Sequence, residues 1–201
     1  MAEGKLDRQA VREFFDSCAP TWDAEMIKDD RKIGLILENA SVREGKDILD
    51  VACGTGVLIP YYLERKAASV TAIDISPKMC GICAGKFRDM DGRVRVICGD
   101  AETEDFGRLF DVIVIYNAFP HFSDPDTLIA RLSSFLKTGG SLTVTHGMSR
   151  EKVDSHHSGT ASMISNGLME ADELANLFRK HLNLKLVISN DTMYQVVGTK
   201  K

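Results

Sequence analysis

Three aspartates in this chain stand at or near the ends of short apolar stretches. Asp50 lies in Ile48-Leu49-Asp50-Val51-Ala52, Asp74 follows Val70-Thr71-Ala72-Ile73, and Asp100 comes where the alternating stretch Arg93 to Cys98 breaks at Gly99. Between the first two lies Cys53-Gly54-Thr55-Gly56. A turn built on Gly54 and Gly56 has no side chains in the way, so a ligand can rest against its amides and the helix N-terminus beyond. A carboxylate closing the next strand, here Asp74 with Ile75 beside it, is placed to accept hydrogen bonds from both hydroxyls of a ribose. Together these features predict an adenosine-containing ligand.

The elements that position these groups follow from the apolar pattern. Asp47 to Asp74 reads as strand, glycine turn, helix over Val57 to Arg65, and second strand, one half of a nucleotide-binding α/β unit. Ser76-Pro77 starts a helix that runs to about Arg88. Phe110 to Ile115 is the clearest buried strand, stopping at Tyr116-Asn117. A helix over Pro125 to Lys137, closed by Gly139-Gly140, and a fifth strand over Ser141 to Thr145 follow. His146 to Gly167 loses periodicity, as a functional lid does. A helix over Glu170 to His181 and a hairpin of Leu182 to Ile188 with Met193 to Gly198 complete the chain. The expected fold is α/β, a Rossmann-like doubly wound, mostly parallel seven-stranded sheet ending in an antiparallel hairpin.

Composition narrows the function classes. The chain of 201 residues accommodates one full-sized core. With 44% hydrophobic residues and no apolar run near 18 residues, it is expected to have no membrane span. Met1 to Arg12 is charged and lacks the apolar core of a secretory signal, so a cytoplasmic location is expected. A net charge of −4 without a dense basic cluster argues against a nucleic-acid substrate and for a small molecule. The five cysteines, an odd number, are expected to be reduced thiols. Cys80-Gly81-Ile82-Cys83 has no second pair or nearby histidine to complete a tetrahedral metal site, and reads as helix packing. No metal is expected.

Two cofactor classes share the glycine-turn logic. The dinucleotide fingerprint wants a third glycine where Ile59 stands, which weakens a nicotinamide reading. Leu49-Asp50-Val51-Ala52-Cys53-Gly54-Thr55-Gly56 instead resembles the first motif of class I S-adenosylmethionine (SAM) methyltransferases, with Ala52 where the family usually has its first glycine. The resemblance implies that Asp50, Ala52, Gly54 and Gly56 hold the amino-acid part of SAM, and that Asp100-Ala101 reads its adenine. Asn117-Ala118-Phe119-Pro120-His121-Phe122 resembles the family's fourth motif, which lines both methyl donor and acceptor. Phe15-Asp16-Ser17-Cys18-Ala19-Pro20-Thr21-Trp22-Asp23 resembles the N-terminal cap of the quinone-biosynthesis and related type 11 methyltransferases, with Trp22 where tyrosine is usual. An aromatic ring there suits a cationic sulfonium.

What the resemblance implies is a single SAM-binding methyltransferase domain over residues 1–201, with 1–30 as cap and 146–168 as a substrate-side lid. Its cofactor is SAM and its partner a small-molecule acceptor. Trp22, Phe119 and Phe122 motivate O-methylation of a hydroxylated aromatic or heteroaromatic compound; C-, N- or S-methylation, an NAD(P)-dependent oxidoreductase and a non-catalytic SAM-binding regulator are the alternatives. His121, His146, His156 and His157 follow the fourth and fifth strands, on the ligand edge. A histidine can take the acceptor's proton near neutral pH. His146, ending a buried strand, is the first choice for catalysis, with His121 second and His156 and His157 on the substrate side. Each also has a plain role open to it, in a turn or a solvated loop.

Overall fold

A computed structural model describes residues 6–90, 92–156 and 163–201. The chain begins with α1 (Arg8–Cys18), α2 (Trp22–Glu25) and α3 (Asp30–Asn39). It then alternates β1 (Asp47–Val51), α4 (Ile59–Glu64), β2 (Ser69–Asp74), α5 (Pro77–Lys86), β3 (Val94–Cys98) and β4 (Phe110–Tyr116). A short 3₁₀ turn, Phe119–His121, precedes α6 (Pro125–Ser134), β5 (Leu136–His146), α7 (Arg150–His156), α8 (Ala171–His181), β6 (Asn183–Ser189) and β7 (Tyr194–Thr199). The seven strands form one sheet in the order β3-β2-β1-β4-β5-β7-β6. The first five are parallel, and β7 pairs antiparallel with both β5 and β6. The expected α/β sheet with its terminal hairpin is the one observed.

Local chemistry fixes the helix starts. The Ser76 hydroxyl accepts from Met79 N at 3.1 Å with Pro77 at the first helical position, and Asp124 caps α6 through Thr127 N at 3.1 Å in the same way. Alternation along the central strands then divides the core. Leu49, Val51, Ile113 and Ile115 face α6 and α8, where Leu128, Leu132, Leu174 and Phe178 are fully buried. Ile48, Val112 and Val114 face the opposite way, onto Ile36 and Leu37 of α3 and Tyr62 of α4. Each fully buried aliphatic or aromatic side chain of this kind contributes roughly 1.5–3 kcal/mol. Gly198 is a packing glycine: a Cβ there would come within 2.8 Å of the Phe178 ring.

Two expected boundaries are corrected. The sixth helix stops at Ser134 and β5 begins at Leu136, so Gly139-Gly140 lies inside a strand and closes no helix. The reason is a register shift between Phe110 and Val112, which lets Leu136 pair with Phe110; a Cβ on Gly140 would approach three backbone oxygens at 2.8–3.1 Å. In the stretch expected to be irregular, Arg150–His156 forms a helix. Val153 is its one buried apolar residue, too little to create a periodic signal.

Candidate active site

The carboxyl ends of β1 to β4 meet beneath α1 and α2 around a cavity of about 450 Å³. Its floor is Ala52 and Gly54 after β1, Asp74 and Ile75 at β2, Ala101 after β3, and Tyr116 with Asn117 at β4. Phe14, Phe15, Cys18 and Trp22 line it from the N-terminal helices, and His121, Phe122, Met148 and Ile164 from the other side. Trp22 stands over the glycine turn: a Cβ on Gly54 would lie 3.6 Å from the indole nitrogen. Phe15 meets Trp22 and His121 edge-on, with ring centroids 5.9 and 5.0 Å away.

Polar contacts tie the N-terminal helices to this edge, since α1 buries only Val11 completely. Arg8 Nε donates to Asp100 Oδ2 at 2.9 Å, and the same guanidinium pairs with Glu102. The Ser76 hydroxyl donates to Asp16 at 2.6 Å and lowers its pKa. Thr55 of the glycine turn donates to Asp23 at 2.5 Å, and Lys86 donates to the same carboxylate at 2.8 Å.

Two carboxyl groups, Asp74 in the cavity floor and Asp50 beneath it, have no cation partner among the described residues. Asp74 accepts from Gly54 N at 2.8 Å and Ser76 N at 2.9 Å, with the Ile75 amide also against it, and burial raises its pKa in spite of them. A carboxylate offers about four lone-pair sites, so acceptor capacity remains. Asp50 is fully enclosed, and burial raises its pKa to about 8, opposed by the Tyr62 hydroxyl and reinforced by Asp74. Its Oδ2 has no well-formed hydrogen bond among the described residues. Ala52 and Asn117, each just past the end of a neighbouring parallel strand, have φ of 54°. Asn117 tolerates this region and its side chain accepts from Gly147 N at 2.9 Å; Ala52 has no such compensation.

His121 lines the cavity with its tautomer set. Nδ1 lies 2.8 Å from the Ile164 carbonyl oxygen, and a carbonyl can only accept, so Nδ1 carries the proton and Nε2 is the basic nitrogen.

A family model described as a methyltransferase domain matches residues 48–140, the stretch from β1 into β5 that carries the glycine turn and most of the cavity floor. That stretch of the chain is similar to a methyltransferase domain. It is similar to a malonyl-[acyl-carrier protein] O-methyltransferase of Acetivibrio thermocellus, 29% identical over 68% of this chain and 49% of that protein. A ubiquinone biosynthesis O-methyltransferase of Coxiella burnetii is 28% identical over 71% of this chain and 63% of its own length. The chain thus spans about half to two thirds of the length of the curated relatives it matches. The N-methyltransferase NodS of Bradyrhizobium japonicum, solved with S-adenosylhomocysteine (SAH), superposes with a TM-score of 0.72 at 13% identity, covering 96% of this chain and 97% of that one. SAM is the methyl donor of such domains, and the cavity fits it: spare acceptor capacity on Asp74, an uncovered turn at Gly54, and aromatic rings above.

The structure distributes the residues expected from sequence unevenly. Trp22, Ala52, Gly54, Asp74 and Ile75 line the cavity, as do Ala101, Asn117, His121 and Phe122. Asp50 lies beneath the floor. Gly56 does not reach the cavity, and its missing side chain serves packing, since a Cβ would come within 2.7–2.9 Å of Phe87, Cys83 and Ile59. Asp100 is engaged by Arg8, and Phe119 is buried in the core at 3% exposure. His146 is 1% exposed, outside the lining, and edge-on to Tyr194. The backbone of His156 ends α7, and His157 lies outside the described residues. Arg8, Tyr116, Met148 and Ile164 escaped selection from sequence. Only Tyr116, adjoining Asn117 at a strand end, carried a signal that could have found it.

Proposed function

We propose that this domain transfers the methyl group of SAM to an oxygen of a small hydroxylated aromatic or heteroaromatic acceptor. When bound, SAM supplies an electrophilic methyl on a sulfonium. Asp74 would accept from its ribose hydroxyls, and the Gly54 backbone and the Ala101 amide, which line the same cavity, would hold its amino-acid part and its adenine. Phe15 and Trp22 exclude water above the reacting atoms, where alignment and desolvation supply on the order of 7–11 kcal/mol. His121, through Nε2, takes the acceptor's proton.

The observation that carries the proposal is the His121–Ile164 hydrogen bond, because it presents a base of fixed tautomer on an otherwise mostly apolar cavity wall. The O-methyltransferase names of the two relatives support oxygen as acceptor atom. His146, enclosed and outside the lining, gives way to His121 as the proposed base.

The test is SAH release from SAM across phenols, hydroxylated heteroaromatics, thiols and amines. Phenolic or heteroaromatic hydroxyls are expected to turn over. His121→Ala should lower kcat about 100-fold. Asp74→Ala should weaken SAH binding about 100-fold in calorimetry, roughly 2.7 kcal/mol. Turnover of thiols or amines alone removes the O-methylation proposal and leaves the domain assignment standing.

A further inference from the structure

The cysteines outside the proposed chemistry form two thiol pairs. Cys53, on the glycine turn, and Cys83, on α5, are both buried in one apolar cluster. Cys80, in the first turn of α5, instead faces β3. Its thiol donates to the Asp74 carbonyl at 3.3 Å and lies 3.5 Å from the Ile97 carbonyl oxygen, part of the peptide joining Ile97 to Cys98. Cys80 thus lies against the peptide that carries Cys98, and Cys98 is exposed while Cys80 is buried. Asp74 and Cys98 are register partners in the parallel pair β2–β3. Gly99 and Ala101, just beyond Cys98, and Asp74 with Ile75 before α5 line the cavity.

We propose that Cys80 and Cys98 are a redox-modification site, closing a reversible disulfide when a hydroperoxide reaches the exposed thiol. Cys98 as thiolate attacks the peroxide O–O bond, gaining one oxygen as sulfenic acid while the peroxide leaves as alcohol or water. The Cys80 sulfur then attacks the Cys98 sulfur, the S–S bond forms, and hydroxide departs with the Cys80 proton as water. Two thiols lose two electrons in all, and the peroxide gains them. Exposure assigns the order: an oxidant meets Cys98 first, and Cys80, kept protonated by burial and by Asp74, serves as the resolving partner. The Cys53–Cys83 pair has no exposed member and stays reduced. The new bond replaces the Cys80 thiol's hydrogen bond to the Asp74 carbonyl and ties α5 to the end of β3. It therefore acts on the edge proposed above to hold ribose and adenine; that coupling alone rests on the functional proposal.

The experiment treats the full chain with hydrogen peroxide, then reads intact mass and maps peptides after blocking free thiols. The expected result is loss of two hydrogen atoms, a linkage joining the Cys80 and Cys98 peptides, and full reversal by a dithiol. Cys98→Ser should abolish the loss, Cys80→Ser should leave Cys98 to gain oxygen atoms instead, and Cys53→Ser should change neither. Oxygen gain on wild type without the linkage, or linkage through Cys18, overturns the site. SAH calorimetry on both redox forms should show several-fold weaker binding when oxidised, and equal affinities overturn the coupling. If neither form binds SAH while the linkage forms, the cofactor proposal fails and the redox site stands.

Discussion

Strand β1 carries an aspartate at each end, and the two ends treat it in opposite ways. Asp47, at the amino end, sits with Asp111 among Lys137, Lys46 and Arg108. Partial burial pushes its pKa upward, but hydrogen bonds from Lys137, Ser69 and Arg108 prevail and bring it to about 2. Asp50, toward the carboxyl end, has no cation beside it, and burial takes it to about 8. At one end of the sheet charge is paired and structural. At the other, carboxyl groups are buried with bonding capacity in reserve, as expected where ligands bind outside strand carboxyl ends.

The largest effect that sharpens this contrast is the pH dependence of stability. Folded Asp50 keeps its proton to about pH 8, whereas an unfolded aspartate releases it near 3.8, so the folded state binds more protons throughout that window. Stability therefore falls as pH rises through it. The ligand-free protein should lose about 3 kcal/mol from this group between pH 5 and about 7.5. Asp50→Asn should remove that slope in urea titrations, since Tyr62, Asp74 and Cys53, the polar groups against Asp50, remain. An unchanged slope would break the contrast.

The opposite end should behave with the opposite sign. Asp47, with its depressed pKa, contributes stability that is present above pH 3.8 and lost as pH falls toward about 2. Lys137→Met removes the 2.8 and 2.7 Å contacts to Asp47 and Asp111, and acid unfolding should then begin at higher pH. Because Lys137 is 40% exposed, solvent screening limits the loss at neutral pH to about 1 kcal/mol. A midpoint of acid unfolding that does not move would show the cluster to be ornamental.

The paired end and the ligand end also differ in how far the sequence revealed them. The strand, glycine turn and second strand were legible because apolar runs and turn residues act locally, and Asp74 was found by its place at a strand end. Gly56 looked like a cofactor glycine but serves contact with Phe87 and Cys83, which only packing reveals. The sequence ranks His146 ahead of His121 because it ends a buried strand. Their difference is one of direction, His146 toward Tyr194 and His121 into the cavity. Arg8 and Asp100 are 92 residues apart, and no spacing rule joins them. The paired end was unreadable for the same reason, since Asp47, Asp111 and Lys137 meet only once the sheet forms.

The smallest predicted effect concerns the backbone just past the carboxyl end of β1. Ala52 leaves β1 with φ of 54°, a region in which an L side chain costs roughly 1–2 kcal/mol and glycine almost nothing. The neighbouring strand makes the same exit at Asn117, with a residue suited to it and a side-chain bond to Gly147. Ala52→Gly should release the strain, less the extra entropy the unfolded chain gains from glycine, about 0.4–1 kcal/mol. The net expectation is a gain of about 0.5 kcal/mol in urea unfolding. If the variant is instead destabilised by that amount or more, the Ala52 methyl packs against the cavity floor strongly enough to offset its strain. Alanine at this turn would then be a fitted part of the ligand end.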